Sequence, residues 1–250
     1  MRRMAKTTPR LHLDAALEAH AEILLEREQG HYLTNVLRLI SGDAVRVFNS
    51  RDGEWLAYLI DVTKKSASIR CEKLVSAVQP PPDIDYLFAP IKHQRLDYLV
   101  QKATELGARR LRPVITARTI AERVNLERMR ANVIEAAEQC NLVYLPEVLE
   151  PEKFDSVLGN WQGQRTLIYC DETAPISDPL QALNTAKLPA AILVGPEGGF
   201  TEDERKHLKS LPFVVPVSLG PRIMRADTAA IAILALVQAK LGDWGSPHKL

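Results

Sequence analysis

The chain has 250 residues, 46% of them hydrophobic and 25% charged, with 32 Lys and Arg against 31 Asp and Glu. That make-up excludes a chain disordered as a whole and is enough for one large domain or two unequal ones. The longest apolar run, Ala229 to Val237, is far below the roughly 18 residues of a membrane span, and the basic start, Met1 to Arg10, leads into no apolar signal core, so a cytoplasmic location is expected.

Cys71, Cys140 and Cys170 are widely spaced, odd in number and outside any C-x-x-C or Cys/His cluster, so buried thiols are expected and neither a disulfide framework nor a metal site. Charge is unevenly spread. Ten Lys/Arg stand against four Asp/Glu from Lys92 to Arg130, whereas six acids stand against Lys153 alone from Val133 to Asn160. This asymmetry fits a basic face for nucleic acid, and equally fits solvated helix surfaces.

In chain order, Leu33, Val36, Leu37 and Ile40 recur at helical spacing and predict a short helix. Ala44 to Asn49 and Glu54 to Val62 are β-rich around Arg51-Asp52-Gly53, a hairpin turn, and a further strand is expected over Ser68 to Leu74. Helix and strands together make a small sheet or barrel. Pro80-Pro81-Pro82 breaks the pattern and sets the boundary between domains 1–78 and 79–250.

Beyond it, strands and helices alternate. Strands are expected at Ile84 to Ala89, Leu111 to Ile115, Thr166 to Cys170, Ala190 to Val194 and Val214 to Val217. Helices are expected around Leu96, Leu99, Val100 and Ala103 with Gly107 as C-cap, at Leu126 to Gln139, at Glu202 to Lys209 and at Thr228 to Lys240. This alternation predicts an α/β domain on a mostly parallel sheet with helices on both faces. The last helix, apolar almost all round, must be buried on more than one side, in the core or against a partner subunit.

In such sheets ligands bind beyond the carboxyl ends of the strands, and two loops there stand out. Gly195-Pro196-Glu197-Gly198-Gly199-Phe200 follows Ile192-Leu193-Val194, with Thr201 and Glu204 spaced as a capping box for the next helix. It serves either as a ligand cradle or as a plain strand-to-helix turn; the spacing of a dinucleotide loop or P-loop is absent. Ser218-Leu219-Gly220-Pro221-Arg222-Ile223-Met224-Arg225 precedes Asp227 or Thr228 as a helix cap. Arginines at a helix start oppose the dipole, which indicates an anionic ligand or substrate.

These two loops, together with Gln101-Lys102-Ala103-Thr104-Glu105-Leu106-Gly107, resemble the ribosomal RNA small subunit methyltransferase E family. His31-Tyr32-Leu33 with Val36-Leu37-Arg38, and Glu135-Ala136-Ala137-Glu138-Gln139-Cys140, extend the resemblance over nearly the whole chain in the family's order. The resemblance implies a PUA-like β-barrel RNA-binding domain, a SPOUT domain with a trefoil knot, a homodimer and S-adenosylmethionine as cofactor. It further implies methylation of N3 of a uridine in 16S ribosomal RNA of the small ribosomal subunit. Two positions depart from the family: Ala226-Asp227 replaces Thr-Glu, conserving charge, and Asn141-Leu142 replaces Gly-Arg, removing a basic contact to RNA or to the partner subunit.

Uridine N3 carries a proton, so the site needs a base, cations that stabilise the anion, or both. Arg225 and Arg222 fit the cations, and Glu197 the base or a hydrogen-bonding cap of its own loop. Val194, Gly195, Pro196, Glu197, Gly198, Gly199, Ser218, Leu219, Gly220, Ile223, Met224 and Thr228 are the expected cofactor contacts, with Leu219, Ile223 and Met224 as apolar walls that also serve as core. Arg10, His31, Arg38 and Lys92 are the expected RNA contacts, and no histidine is assigned to catalysis. The rival readings are a catalytically inactive RNA-binding or assembly protein of the same fold, a methyltransferase acting on another RNA, and a nucleotide-binding α/β enzyme.

Overall fold

The computed structural model describes residues 8–63, 66–120, 123–161 and 163–246, apart from the side chain of His93; most of the basic start lies outside them. Two compact units result. One holds the described residues up to Gln79 together with Ala137–Leu145; the other holds Pro80–Ala136 and the chain from Pro146.

The first unit contains β1 (Arg10–His12), β2 (Glu22–Leu24), α1 (Arg27–His31), a π-helical turn at Tyr32–Val36, and β3 (Ala44–Asn49), β4 (Gly53–Val62) and β5 (Ala67–Ser76). The sheet runs β1-β3-β4-β5-β2, antiparallel except where β1 pairs with β3. Alternation builds the core: Val45, Val47, Ala57, Leu59, Ile69 and Cys71 bury one face, with Leu33 packed in the same cluster. Gly53, at φ +88°, closes the β3–β4 turn.

The helical stripe expected over residues 33–40 is corrected. Leu33 is buried and Leu37 packs on the core, but Val36 and Ile40 are exposed. The helix stops at Val36 because Leu37 is its C-cap, Arg38 turns to φ +56°, and the Asp43 carboxylate accepts from the Ile40 N–H. Arg38 therefore lies beyond the helix that carries His31.

The second unit contains β6 (Ile84–Phe88), α2 (His93–Glu105), β7 (Arg110–Ile115), α3 (Leu126–Gln139), β8 (Glu147–Val148), β9 (Glu152–Lys153), α4 (Phe154–Gly159), β10 (Thr166–Cys170), α5 (Pro179–Ala182), β11 (Ala190–Val194), α6 (Glu202–Ser210), β12 (Val214–Val217) and α7 (Ala226–Lys240). The strand order is β12-β10-β11-β6-β7-β8, with β9 also on β7, and each pairing is parallel. Central β6 and β11 are buried at all five positions, as strands covered on both faces must be. Leu87, Ala191, Leu193, Leu167 and Tyr169 pack with Phe154 and Val157 of α4 and Leu208 of α6. α7 packs on α2 and β11.

Much of the basic surplus between Lys92 and Arg130 turns out to be paired internally. Arg110 and Arg112 hold Asp85, which is 1% exposed, and they also reach Asp83 and Glu152. Arg128 pairs with Asp97 and Lys102 with Glu105. The charge count alone therefore overstates the basic surface. No described helix is long and apolar enough to cross a membrane.

Candidate active site

Four loops that follow parallel strands converge on one cleft of about 380 Å³, within the roughly 300–1,000 Å³ of small-molecule sites. The loop after β11 forms one wall with residues 194–200, and the loop after β12 forms another with Leu219, Gly220 and residues 222–224. The two loops singled out from sequence are thus brought together. Arg118, from the loop after β7, and Asp171 and Glu172, from the loop after β10, complete the cleft and were not foreseen. The strand-end rule that pointed to the first two loops covers these as well; their mixed composition gave no further signal.

The glycine loop is shaped by packing. A side chain at Gly195 would put its Cβ 2.6 Å from the Phe200 ring, which is itself buried against Phe154 and Tyr169. Thr201 caps α6 as its sequence requires: its hydroxyl accepts from the Glu204 N–H at 3.2 Å, and Glu204 Oε2 accepts from the Thr201 N–H at 2.8 Å. Glu204 Oε1 also accepts from the Ala117 N–H at 2.9 Å, so one carboxylate ties α6 to the loop bearing Arg118.

The charges lining the cleft are unevenly paired. Arg205 donates to Glu172 at 3.0 Å and lies 3.8 Å from Asp171, while Lys209 pairs with Asp171 at 2.9 Å. Burial opposes the charge of Asp171, but Lys209 and the N–H and hydroxyl of Thr173 prevail and hold its carboxyl below the ordinary value. Glu197 faces Arg95 at 3.8 Å. Arg118 and Arg222 line the cleft without a carboxylate within 4.0 Å among the described residues. Burial pushes the Cys170 thiol up to about 12, so it is protonated at neutral pH.

Several expected residues stand elsewhere. α7 begins at Ala226 with Arg225 as N-cap, so neither Asp227 nor Thr228 caps it, and Arg225 makes no side-chain cap. Arg225 is exposed between two lining residues, Met224 and Ala226, while Thr228 is exposed and outside the lining. Ser218 is buried, its hydroxyl accepting from the Gly220 N–H at 3.3 Å, and supports the turn without lining the cleft. Ile223, expected as a wall that doubles as core, lines the cleft but is 93% exposed.

Arg10, expected to face RNA, is instead buried. Its guanidinium pairs with Glu54 and donates to the carbonyls of Ala137, Glu138 and Leu142, satisfying the last turn of α3. The segment of the Glu-Gln-Cys motif and its Asn141-Leu142 departure thus receives an internal cation. His31, Arg38 and Lys92 are exposed; Lys92 belongs to the second unit, at the N-cap of α2.

A parallel α/β sheet whose strand-end loops form one cleft, in a chain that also carries a small mixed sheet, matches the class of RNA methyltransferases: the model of the RNA methyltransferase domain matches residues 79–238 and that of the RNA methyltransferase PUA domain residues 25–71. Among curated proteins, the Ribosomal RNA small subunit methyltransferase E of Rickettsia conorii is 32% identical over 232 residues, covering 92% of this chain and 94% of the relative. The protein of the same name from Synechocystis is 36% identical over 226 residues, covering 88% of this chain and 74% of the relative. A crystal structure of a Ribosomal RNA small subunit methyltransferase E from Neisseria gonorrhoeae bound to S-adenosyl methionine superposes with a TM-score of 0.86 at 26% identity, covering 95% of this chain and 100% of that one. This chain belongs to the ribosomal RNA small subunit methyltransferase E family.

Proposed function

We propose that this protein methylates N3 of a uridine in 16S ribosomal RNA, with S-adenosylmethionine as the donor. The observation that carries the reading is the convergence of the two motif loops on one cleft, in a fold shared with a relative that binds S-adenosyl methionine. The residues present fit that cofactor. Residues 194–199 offer close-approaching backbone, Leu219 and Met224 offer apolar wall, and Asp171, Glu172 and the arginines offer polar partners. When bound, S-adenosylmethionine supplies a methyl group on a sulfonium.

The chain's own task is to make N3 nucleophilic in near-attack geometry. As the N3 proton leaves, charge spreads to the uracil oxygens, where Arg222 on the cleft wall and Arg225 beside it stabilise the anion. The N-terminus of the 15-residue α7, with no side-chain cap from Arg225, adds a favourable dipole there. Glu197, facing the cleft, accepts the proton, and Arg95 at 3.8 Å orients it. N3 then takes the methyl as the carbon–sulfur bond breaks.

The domain division at 78/79, with an RNA-positioning first domain, is supported by the PUA match and by exposed His31 and Arg38; exposed Lys92 would add a contact from the second domain. His31 also borders a polar cavity of the first unit with Arg27, Thr34, Asn35 and Ser66. The return of the chain from edge strand β12 to α7 on α2 and β11 supports a knotted path. A homodimer is supported by the half-buried apolar stripe Ile231, Ala232, Ala235 and Leu236 on α7. A cytoplasmic location follows from the proposed work on ribosomal RNA and rests on that reading.

Calorimetry with S-adenosylmethionine and with ATP tests the reading. Saturable binding of the first alone, unchanged by a metal chelator, is expected; binding of ATP alone would favour a nucleotide-dependent enzyme.

A further inference from the structure

The geometry points to Arg118 as the residue that anchors the carboxylate of the donor's amino-acid end, an inference that rests on S-adenosylmethionine being the donor. Arg118 is placed by two independent ties. Its Nη1 donates to the Gly198 carbonyl at 2.7 Å, and its Cβ and Cδ lie 3.5 Å from where a Cβ on Gly198 would stand. Its neighbour Ala117 donates to Glu204, and the Thr116 N–H donates to the Thr119 hydroxyl at 2.9 Å, which tightens the same turn. The guanidinium is therefore held against the glycine loop with one N–H engaged by a neutral carbonyl.

The pairing of charges selects this residue. Arg205 has Glu172 and Asp171, and Arg95 has Glu197, whereas Arg118 and Arg222 line the cleft without a carboxylate in reach among the described residues. Two anionic charges must be met during the reaction: the donor's carboxylate, present from binding onward, and the uracil anion, which forms only as the N3 proton leaves. Arg222 and neighbouring Arg225 sit on the loop that enters α7 and take the second. Arg118, fixed on the wall made by residues 195–199, takes the first, and a planar guanidinium suits a carboxylate with two oxygens. A phosphate of the target RNA offers the same oxyanion chemistry, so the test must separate the two sources.

The experiment compares the wild-type chain with Arg118→Gln, which keeps a donor for the Gly198 carbonyl, and with Arg118→Lys. Calorimetry measures binding of S-adenosylhomocysteine, which carries the carboxylate, and of 5′-methylthioadenosine, which shares the adenosine and thioether but lacks it. Arg118→Gln is expected to weaken S-adenosylhomocysteine by on the order of tenfold to a hundredfold, the range of one charge-assisted hydrogen bond, and to leave 5′-methylthioadenosine within about twofold. Arg118→Lys should recover part of the loss. Equal weakening of both ligands would overturn the inference and make Arg118 a support of the glycine loop. Unchanged nucleoside binding with weakened RNA binding would overturn it in favour of a phosphate, and no change in any ligand would overturn it outright. If the wild-type chain itself binds neither nucleoside, the assignment of the donor fails instead.

Discussion

Arg10 and Glu54 form an ion pair that water barely reaches: Nε donates to Oε1 at 2.6 Å, and the side chains are 6% and 7% exposed. The remaining nitrogens of Arg10 donate to carbonyls at the end of α3, and its guanidinium lies 4.3 Å from the centre of the Phe48 ring. Arg10→Ala would leave the buried Glu54 carboxylate with the long 3.8 Å contact to half-exposed Arg46 and would strand those carbonyls, so a loss of about 3–5 kcal/mol in urea unfolding is expected. A loss below about 1 kcal/mol, the size of an exposed pair, would contradict this structural role.

Gly195→Ala tests the shape of the cleft. The added methyl would stand 2.6 Å from the Phe200 ring, which Phe154 and Tyr169 prevent from moving freely. Strain of about 1–3 kcal/mol and a marked loss of S-adenosylmethionine affinity are expected, read by thermal unfolding and calorimetry. Wild-type values in both would mean the loop yields without cost.

Acid stability should depend on Asp171 and Asp83. Burial opposes the charge of each, yet cationic partners hold both carboxyls below the ordinary value, Lys209 for Asp171 and Arg165 with Arg110 for Asp83. Depressed carboxyls contribute stability above the unfolded value of about 4, and that stability is lost as pH falls through the folded values. Unfolding free energy should be flat near neutrality and fall below about pH 4, with Asp171→Asn reducing the slope. An identical acid profile in the variant would remove Asp171 from the account.

Ile233 and Leu236 separate the two burdens of α7. Ile233 is wholly buried and Leu236 half-buried, so Ile233→Glu should prevent folding, whereas Leu236→Glu should give folded monomers by sedimentation. A Leu236→Glu chain that sediments like the wild type would take the helix out of the interface.

The sequence was most informative where burial imposes a period. The strands Ala44–Asn49, Thr166–Cys170, Ala190–Val194 and Val214–Val217 and the helix Leu126–Gln139 coincide with their expected limits, because their apolar runs or stripes end in polar or turn residues, as Pro189 and Gly195 bracket Ala190–Val194 and Asn125 and Asn141 flank the helix. Three-residue β1 and β2 and two-residue β8 and β9 are too short to show alternation, and they exist through pairing with longer neighbours. Of the site, the glycine loop and the Gly-Pro-Arg loop were legible as chain punctuation. Arg118 and Asp171 were not, since a single charged residue after a strand looks like any solvated side chain until the fold brings the loops together. Arg10 illustrates the opposite case, a basic residue whose partners lie from 44 to 132 positions away.

Arg225 should act on turnover more than on binding. Replacement by Ala is expected to leave S-adenosylmethionine affinity nearly unchanged and to lower the single-turnover rate at saturating RNA by on the order of a hundredfold. Arg225→Lys should recover only part. A wild-type rate in the Ala variant would move the anion-stabilising role to Arg222 or to the amides of α7.

The central claim is tested most directly by incubating the protein with isotopically labelled S-adenosylmethionine and small ribosomal subunits or 16S ribosomal RNA lacking the modification, then mapping the label by mass spectrometry of nuclease fragments and nucleosides. One labelled methyl on N3 of a single uridine is the expected result. Label on a ribose oxygen or another base atom, or none on either substrate while the protein binds S-adenosylmethionine, would contradict it.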